Sequence, residues 1–350
     1  MSTDVKEIIR NAAADFLKIA VSDFVVESVK LEGSMVSRIE NDSGSIFSIK
    51  SHVTGKELIA KMRSPGYMVK VGRIVNYFED PFFNEPYERG CNIFGMEKSH
   101  YREKYVYSLL QESLQHNCPF YYGSTTIADG CIHFIEKLKI NQSNVNLNSV
   151  TEFVAQLHST YLHDYNGARK MCAYLPVKKD HALAKDVVNM LMDNVEALYP
   201  DFPKDALYTL RSYIASFETT FDRWSKGERT LCHGDYSVKN MSFENGFKIY
   251  DWECTTYRNP EFDIITFLVH YPTLLNEKIV EQFLDLYYEH RKQLGSCPDV
   301  AKFKIFLKEN LLIFMTTRLN ALMSICMRLD MPYMPESIAN WIFLYKYLFN

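Results

Sequence analysis

The chain has no paired cysteines, no long apolar run and no block of charge of one sign, and each absence removes a class of protein. Its eight cysteines stand singly at 91, 118, 131, 172, 232, 254, 297 and 326. Neither a Cys-x-x-Cys zinc site nor a disulfide framework has support, and buried thiols in a reducing compartment are expected. The apolar stretches near Phe262 and Trp341 are broken by His270 and Lys346, and the start carries acids where a signal peptide would be apolar. No membrane insertion is expected, and a cytoplasmic location is. Lys plus Arg number 39 against 43 Asp plus Glu, a formal charge of −4, which offers no general field for nucleic acid or an anionic membrane. With 14 Gly and 12 Pro in 350 residues, disorder and low complexity are set aside as well.

What is there is a globular composition, 47% hydrophobic and 23% charged, in a chain too long for one ordinary core and suited to two unequal domains. No fixed-period repeat points to a solenoid or propeller. From about Phe24 to Arg63 the sequence is strand-like, with β-rich runs at Val36 to Glu40, Ile46 to His52 and Glu57 to Met62 separated by turn chemistry, an antiparallel meander. Residues 64 to 98 mix Pro, Gly and aromatics and read as an insertion. Tyr101 to Leu114 predicts a helix, and Phe120 to Tyr122 and Cys131 to Ile135 two further strands. The shift to Asn, Gln, Ser and Lys around Lys137 to Asn148 marks a linker. Beyond it, Ser149 and Glu152 have capping-box spacing ahead of a helix. Further helices are predicted at Ala182 to Leu198, Leu207 to Trp224, Glu277 to Leu294, Val300 to Arg328 and Ser337 to Phe349.

The one strand-like interruption among these helices is Thr230 to Trp252. There Asn245-Gly246 lies between two alternating runs, the strongest short hairpin signal. A two-residue loop at those positions puts Glu244 opposite Phe247, Phe243 opposite Lys248 and Asn240 opposite Asp251, about 4.5 to 5.5 Å apart on one face. An amide oxygen and a carboxylate at that separation can share one hard cation and leave its other positions to water and phosphate. Asp235, on a loop five residues before Asn240, can take a proton from an attacking hydroxyl beside that metal.

His233-Gly234-Asp235, then Asn240, then Asp251-Trp252-Glu253 resembles the catalytic loop and metal-binding carboxylate of the aminoglycoside phosphotransferase and choline kinase superfamily, relatives of the protein kinases. The Asp235 to Asn240 spacing equals that of the protein-kinase catalytic loop. The run from Asp251 to Asp263-Ile264 leans toward the choline kinase branch, and Ala155-Gln156-Leu157-His158 is similar to a short helix motif of the family. The resemblance implies an α+β, two-lobed protein kinase-like fold: a small antiparallel-sheet N-lobe with one long helix over 1–137, a hinge at 138–148 and a larger, mainly helical C-lobe over 149–350. It further implies Asp235 as catalytic base, Asn240 and Asp251 as magnesium ligands, and His233 as a scaffold for the loop.

At the nucleotide end, the turn holding Ser43, Gly44 and Ser45 is small enough to offer backbone N–H groups to phosphates. Lys61 resembles the strand lysine that pairs with nucleotide phosphates, with Lys70 as a rival, and Glu103 resembles the acid that orients it. Phe134 to Lys137 would be the hinge strand beside a purine. The expected activity is transfer of the γ-phosphoryl group of ATP, or GTP, with Mg2+, to a hydroxyl of a small molecule such as choline, an aminoglycoside or another hydroxylated amine. Glu253, Trp252 and Tyr257 are the expected acceptor contacts, a carboxylate and two rings for a cation. The alternatives are a protein kinase, against which the lack of an Ala-Pro-Glu segment after Asp251 counts, and a catalytically silent scaffold of the same fold.

Overall fold

The computed structural model describes residues 3–29, 46–63, 99–127, 130–164, 200–216, 227–316 and 334–349, with single residues at 189 and 219. The strand expected at Val36 to Glu40, the turn Ser43-Gly44-Ser45, Lys70, the stretch 64 to 98 and the helix expected at Ala182 to Leu198 fall outside them, Asn189 excepted.

Helix α1 (Thr3–Leu17) leads to strands β1 (Phe24–Ser28), β2 (Ile46–Ser51) and β3 (Glu57–Arg63). Helix α2 (Ser99–Ser113) follows, then β4 (Tyr121–Ile127) and β5 (Gly130–Glu136). The five strands form one antiparallel sheet in the order β1-β2-β3-β5-β4. Phe47 and Ile49 of β2 and Leu58 and Ala60 of β3 alternate onto one face, the period that sets strand register. They form a small core with Ile9 and Ala13 of α1, and Phe16 sets its ring against Phe134 of β5. Helix α1 has no counterpart in the sequence reading, and it is what closes that face. Lys61 and Arg63, two residues apart on β3, are also buried.

The remaining described elements are α3 (Leu147–Thr160), α4 (Lys204–Ala215), β6 (Thr230–Cys232), β7 (Met241–Ser242), β8 (Lys248–Ile249), β9 (Thr256–Arg258), α5 (Glu261–Val269), α6 (Glu277–Gln293), α7 (Val300–Phe314) and α8 (Met334–Phe349). They share a second, larger core that also takes in Val106, Tyr107 and Leu110 of α2. A small antiparallel sheet before a mainly helical unit is the fold class expected from the sequence, with two 15-residue helices beside the sheet where one was expected. Helix α5 is buried along its whole length, which makes it the centre of this unit.

Two local expectations are corrected. The cap of α3 is Asn146, whose side chain accepts from Ser149 N at 3.1 Å, so Ser149 lies inside the first turn. The 240s hairpin pairs Met241 with Ile249 and Ser242 with Lys248, one residue out of the expected register. Asn245 and Gly246 do adopt positive φ, 58° and 102°, but the ladder stops early. Phe243 N donates to Asn141 O of the linker at 3.0 Å, and Ser242 Oγ to Lys139 O at 2.6 Å. Phe247 packs against both Phe243 and Phe153. The linker and the core claim the groups that a two-residue turn would have used, so Asn240 lies opposite Tyr250, whose N–H donates to Asn240 O at 3.0 Å.

Candidate active site

The loop after β6 is tied at the backbone N–H groups of three successive residues, His233, Gly234 and Asp235. Asp263, buried in the first turn of α5, accepts from His233 N at 2.7 Å through Oδ2 and from Gly234 N at 2.9 Å through Oδ1. Gly234 is required there: its φ is +79°, and a Cβ would stand 2.0 Å from Cys254 O. His233 is fully buried, and desolvation lowers its pKa. The neutral ring has one donor and one acceptor. Nε2–H donates to Tyr250 O at 3.0 Å, which leaves Nδ1 to accept from Asp235 N at 3.2 Å. This single ring joins the loop to the strand end before Asp251. Asn240 Nδ2 donates to Asp235 O at 2.9 Å and to Asp235 Oδ2 at 3.0 Å, and Lys239 Nζ lies 3.1 Å from that same oxygen. The Asn240 amide nitrogen is committed to Asp235, which leaves its oxygen as the group suited to a cation.

Asp251 reaches the cleft by backbone conformation where a direct cross-strand partnership was expected. It sits one residue beyond the position opposite Asn240, in the left-handed region at φ 67° and ψ 61°, and that turn redirects the chain. Across the cleft, Lys61 Nζ contacts Glu103 Oε1 at 2.9 Å, Asp251 Oδ1 at hydrogen-bonding range and Glu253 Oε2 at 3.5 Å. Arg63 Nε donates to Glu253 Oε2 at 2.8 Å. Burial and the Arg63 charge would lower the Lys61 pKa, but the Asp251, Glu103 and Glu253 carboxylates outweigh them and raise it. Burial likewise pushes the Asp251 pKa up, and the Lys61 and Arg63 cations more than offset this, holding it below the ordinary carboxylate value. Oxygens of Glu103, Asp251 and Glu253 lie within 4.8 Å of one another, gathered around the Lys61 ammonium, which is within 3.5 Å of all three.

The structure therefore brings Asp235 and Asn240 together by hydrogen bonds, and Lys61, Glu103 and Asp251 by ion pairs. Of the expected acceptor contacts, two are buried rings and the third is ion-paired. Trp252 is fully buried, with its ring against His233 and Phe153, and Tyr257 is a buried residue of β9. Their large apolar surfaces are used by the core. Glu253 is taken by Arg63 and Lys61. Nor are all the thiols buried, for Cys297 is exposed while Cys118, Cys131, Cys232 and Cys254 are buried and free.

Sequence reasoning passed over Asp263 and His158 as site builders, although both stood at the ends of quoted runs. His158 Nε2 lies 3.3 Å from Asp263 Oδ2, and its Nδ1 lies 2.9 Å from Tyr287 OH, which Arg291 Nη1 also reaches at 2.9 Å. Desolvation lowers the His158 pKa, so the ring is a neutral donor to Asp263. The usable signal was an acid inside the apolar run Phe262 to Val269, since a buried carboxylate needs several donors.

A model described as the phosphotransferase enzyme family matches residues 140–295, from the linker through α6. That stretch, rather less than half of the chain, is similar to the family. The likeness in fold to solved structures extends over nearly the whole chain. A choline kinase from Streptococcus pneumoniae aligns over 99% of each chain with a TM-score of 0.55 at 15% identity. An ethanolamine kinase from Plasmodium vivax aligns over 97% of this chain and 89% of its own, also at 0.55, with 11% identity. No curated protein sequence matches significantly. Among the described residues, no helix is long and apolar enough to cross a membrane.

Proposed function

We propose that the protein transfers the γ-phosphoryl group of ATP to a hydroxyl of a small molecule, with Asp235 as the base. The observation that carries this reading is the holding of Asp235 and Asn240 on a loop pinned by Asp263 and joined through His233 to Tyr250, the residue before Asp251, which in turn contacts Lys61. Asp235 is 8% exposed and oriented from both sides by Asn240 and His233. A carboxylate held that firmly can accept the proton of an acceptor hydroxyl as its oxygen approaches the γ-phosphorus, without reorganising during the reaction. Lys61 supplies a cation that can pass from Asp251 to phosphate oxygens, with Glu103 keeping the ammonium in place. Asn240 Oδ1 and the Asp251 carboxylate are the groups that would hold Mg2+, which would supply positive charge to offset that of the transferring group.

For the acceptor, a hydroxylated amine is favoured. Two solved structures of similar fold are a choline kinase and an ethanolamine kinase, and the run from Asp251 to Ile264 leans the same way. The test is a phosphorus NMR screen of amino alcohols, aminoglycosides, sugars and nucleosides with ATP and Mg2+. An ester signal with an amine is expected, and its loss by at least about 10²-fold in Asp235→Asn at unchanged thermal stability. Phosphorylation of neutral sugars or nucleosides alone overturns the acceptor class. Near-normal turnover of Asp235→Asn overturns the base, and absence of turnover with every acceptor favours a silent scaffold.

A further inference from the structure

Three carboxylates compete for one ammonium in the cleft. Lys61 Nζ has Glu103 at 2.9 Å, Asp251 in contact and Glu253 Oε2 at 3.5 Å. For Lys61 to serve phosphate, it must leave Asp251 without being drawn to another acid. Glu103 is the neighbour that keeps it in the cleft, whereas Glu253 stands beside Asp251 on the opposite lobe and is the carboxylate placed to draw it off. Arg63 answers that competition. Its Nε donates to Glu253 Oε2 at 2.8 Å, the same oxygen that lies 3.5 Å from Lys61, while Nη1 donates to Met62 O at 3.1 Å. The guanidinium side chain is 6% exposed and Glu253 13%, so the pair is shielded from water and the attraction between its members is little screened.

The geometry is a two-rung ladder between the lobes. Lys61 and Arg63 project from alternate positions of β3, hence from one face; Asp251 and Glu253 stand at the same spacing in the turn after β8. Lys61 meets Asp251 and Arg63 meets Glu253. The first rung has to open when nucleotide and metal enter, because both of its members are the groups proposed to bind them. The second rung has no such duty.

We propose that Arg63 is a positioning residue which occupies Glu253 and so keeps Lys61 available to the nucleotide phosphates. This rests on the reading of Lys61 as the phosphate lysine. Without Arg63, Glu253 has Lys61 as its nearest cation, and the ammonium is shared between phosphate and a buried carboxylate. A charge-assisted hydrogen bond is about twice as strong as a neutral one. Turning that acceptor against the nucleotide costs about tenfold in affinity, equivalent to about 1.4 kcal/mol.

The experiment measures ATP affinity by calorimetry and Mn2+ affinity by electron paramagnetic resonance, together with thermal stability, on the full-length chain. Arg63→Met is expected to weaken ATP binding about tenfold, and Glu253→Gln alone to leave it within about threefold of wild type. The double variant Arg63→Met/Glu253→Gln is expected to bind ATP better than Arg63→Met, returning to within about threefold of wild type, with Mn2+ affinity unchanged throughout. A residue that merely stabilises the fold would not be rescued by removing its partner's charge. A double variant as weak as Arg63→Met overturns the proposal. So does a tenfold loss of Mn2+ affinity in Glu253→Gln, which would make Glu253 a metal ligand. If Arg63→Met does not fold, Arg63→Lys with and without Glu253→Gln gives the same comparison. Failure of the underlying reading looks different: Lys61→Met would then leave ATP affinity at the wild-type value.

Discussion

The two sides of the cleft are held by different chemistry. On the C-lobe side, apart from the exposed Lys239 ammonium beside Asp235, Asp235 and Asn240 are placed by hydrogen bonds between neutral or backbone donors and buried acceptors: Asp263 to two N–H groups, His233 to a carbonyl and an N–H, Asn240 to Asp235. On the N-lobe side, Lys61 and Arg63 are placed by ion pairs with Glu103, Asp251 and Glu253. A hydrogen bond between fixed backbone and a buried side chain has no other partner to move to. An ion pair can exchange one carboxylate for a phosphate or a metal at modest cost, because the incoming charge replaces the outgoing one. The first arrangement suits a base that must not move, the second a cation that must.

Breaking the hydrogen-bonded side should cost most. Asp263→Asn sets an amide against two N–H donors that were both satisfied by carboxylate oxygens, and a loss of about 3 kcal/mol in stability is expected, accompanied by lower turnover. Denaturant titration checks the first and steady-state kinetics the second; unchanged stability would show that the loop is held by other contacts. The next effect is pH-dependent. Burial raises the Glu261 carboxyl at the start of α5 from 4.5 to about 8, so the native state keeps a proton that the unfolded chain releases. Stability should therefore fall as pH rises from about 5 to about 8, by several degrees in Tm, and Glu261→Gln should flatten that slope. A slope identical in the variant would assign the dependence to other groups.

On the ion-paired side, Lys61→Met should raise the Michaelis constant for ATP about tenfold, with a smaller change in Tm than Asp263→Asn produces. The reverse ranking of the two variants in Tm would remove the distinction between the sides. The smallest effect belongs to Asn146→Ala, which deletes the α3 cap and should cost about 1 kcal/mol by thermal melting, with turnover unaltered.

The residues legible in the sequence were those brought together by short spacing. Asp235 and Asn240 are five apart on one loop, and Gly234 is demanded by its own φ, so local chemistry announces them. The 240s hairpin shows the limit: Asn245-Gly246 has the turn conformation foreseen, yet the register slipped by one because Asn141 and Lys139, about a hundred residues earlier, took hydrogen bonds from Phe243 and Ser242. Trp252 and Tyr257, expected as acceptor contacts, lie buried for a related reason. Nearness to Asp251 along the chain does not say whether a ring faces the cleft or the core.

Periodicity and turn chemistry in the sequence alone determined a small sheet with a long helix before a helical unit, and the loop carrying Asp235 and Asn240, because such signals arise within a few residues. Only the tertiary structure decided that α1 covers the sheet, that Asp263 and His158 pin the loop, and that Lys61 and Arg63 meet Asp251 and Glu253 across 190 residues of chain. Pairings at that separation are set by which buried charges and apolar faces the folded core brings within reach, and neither period nor spacing records them.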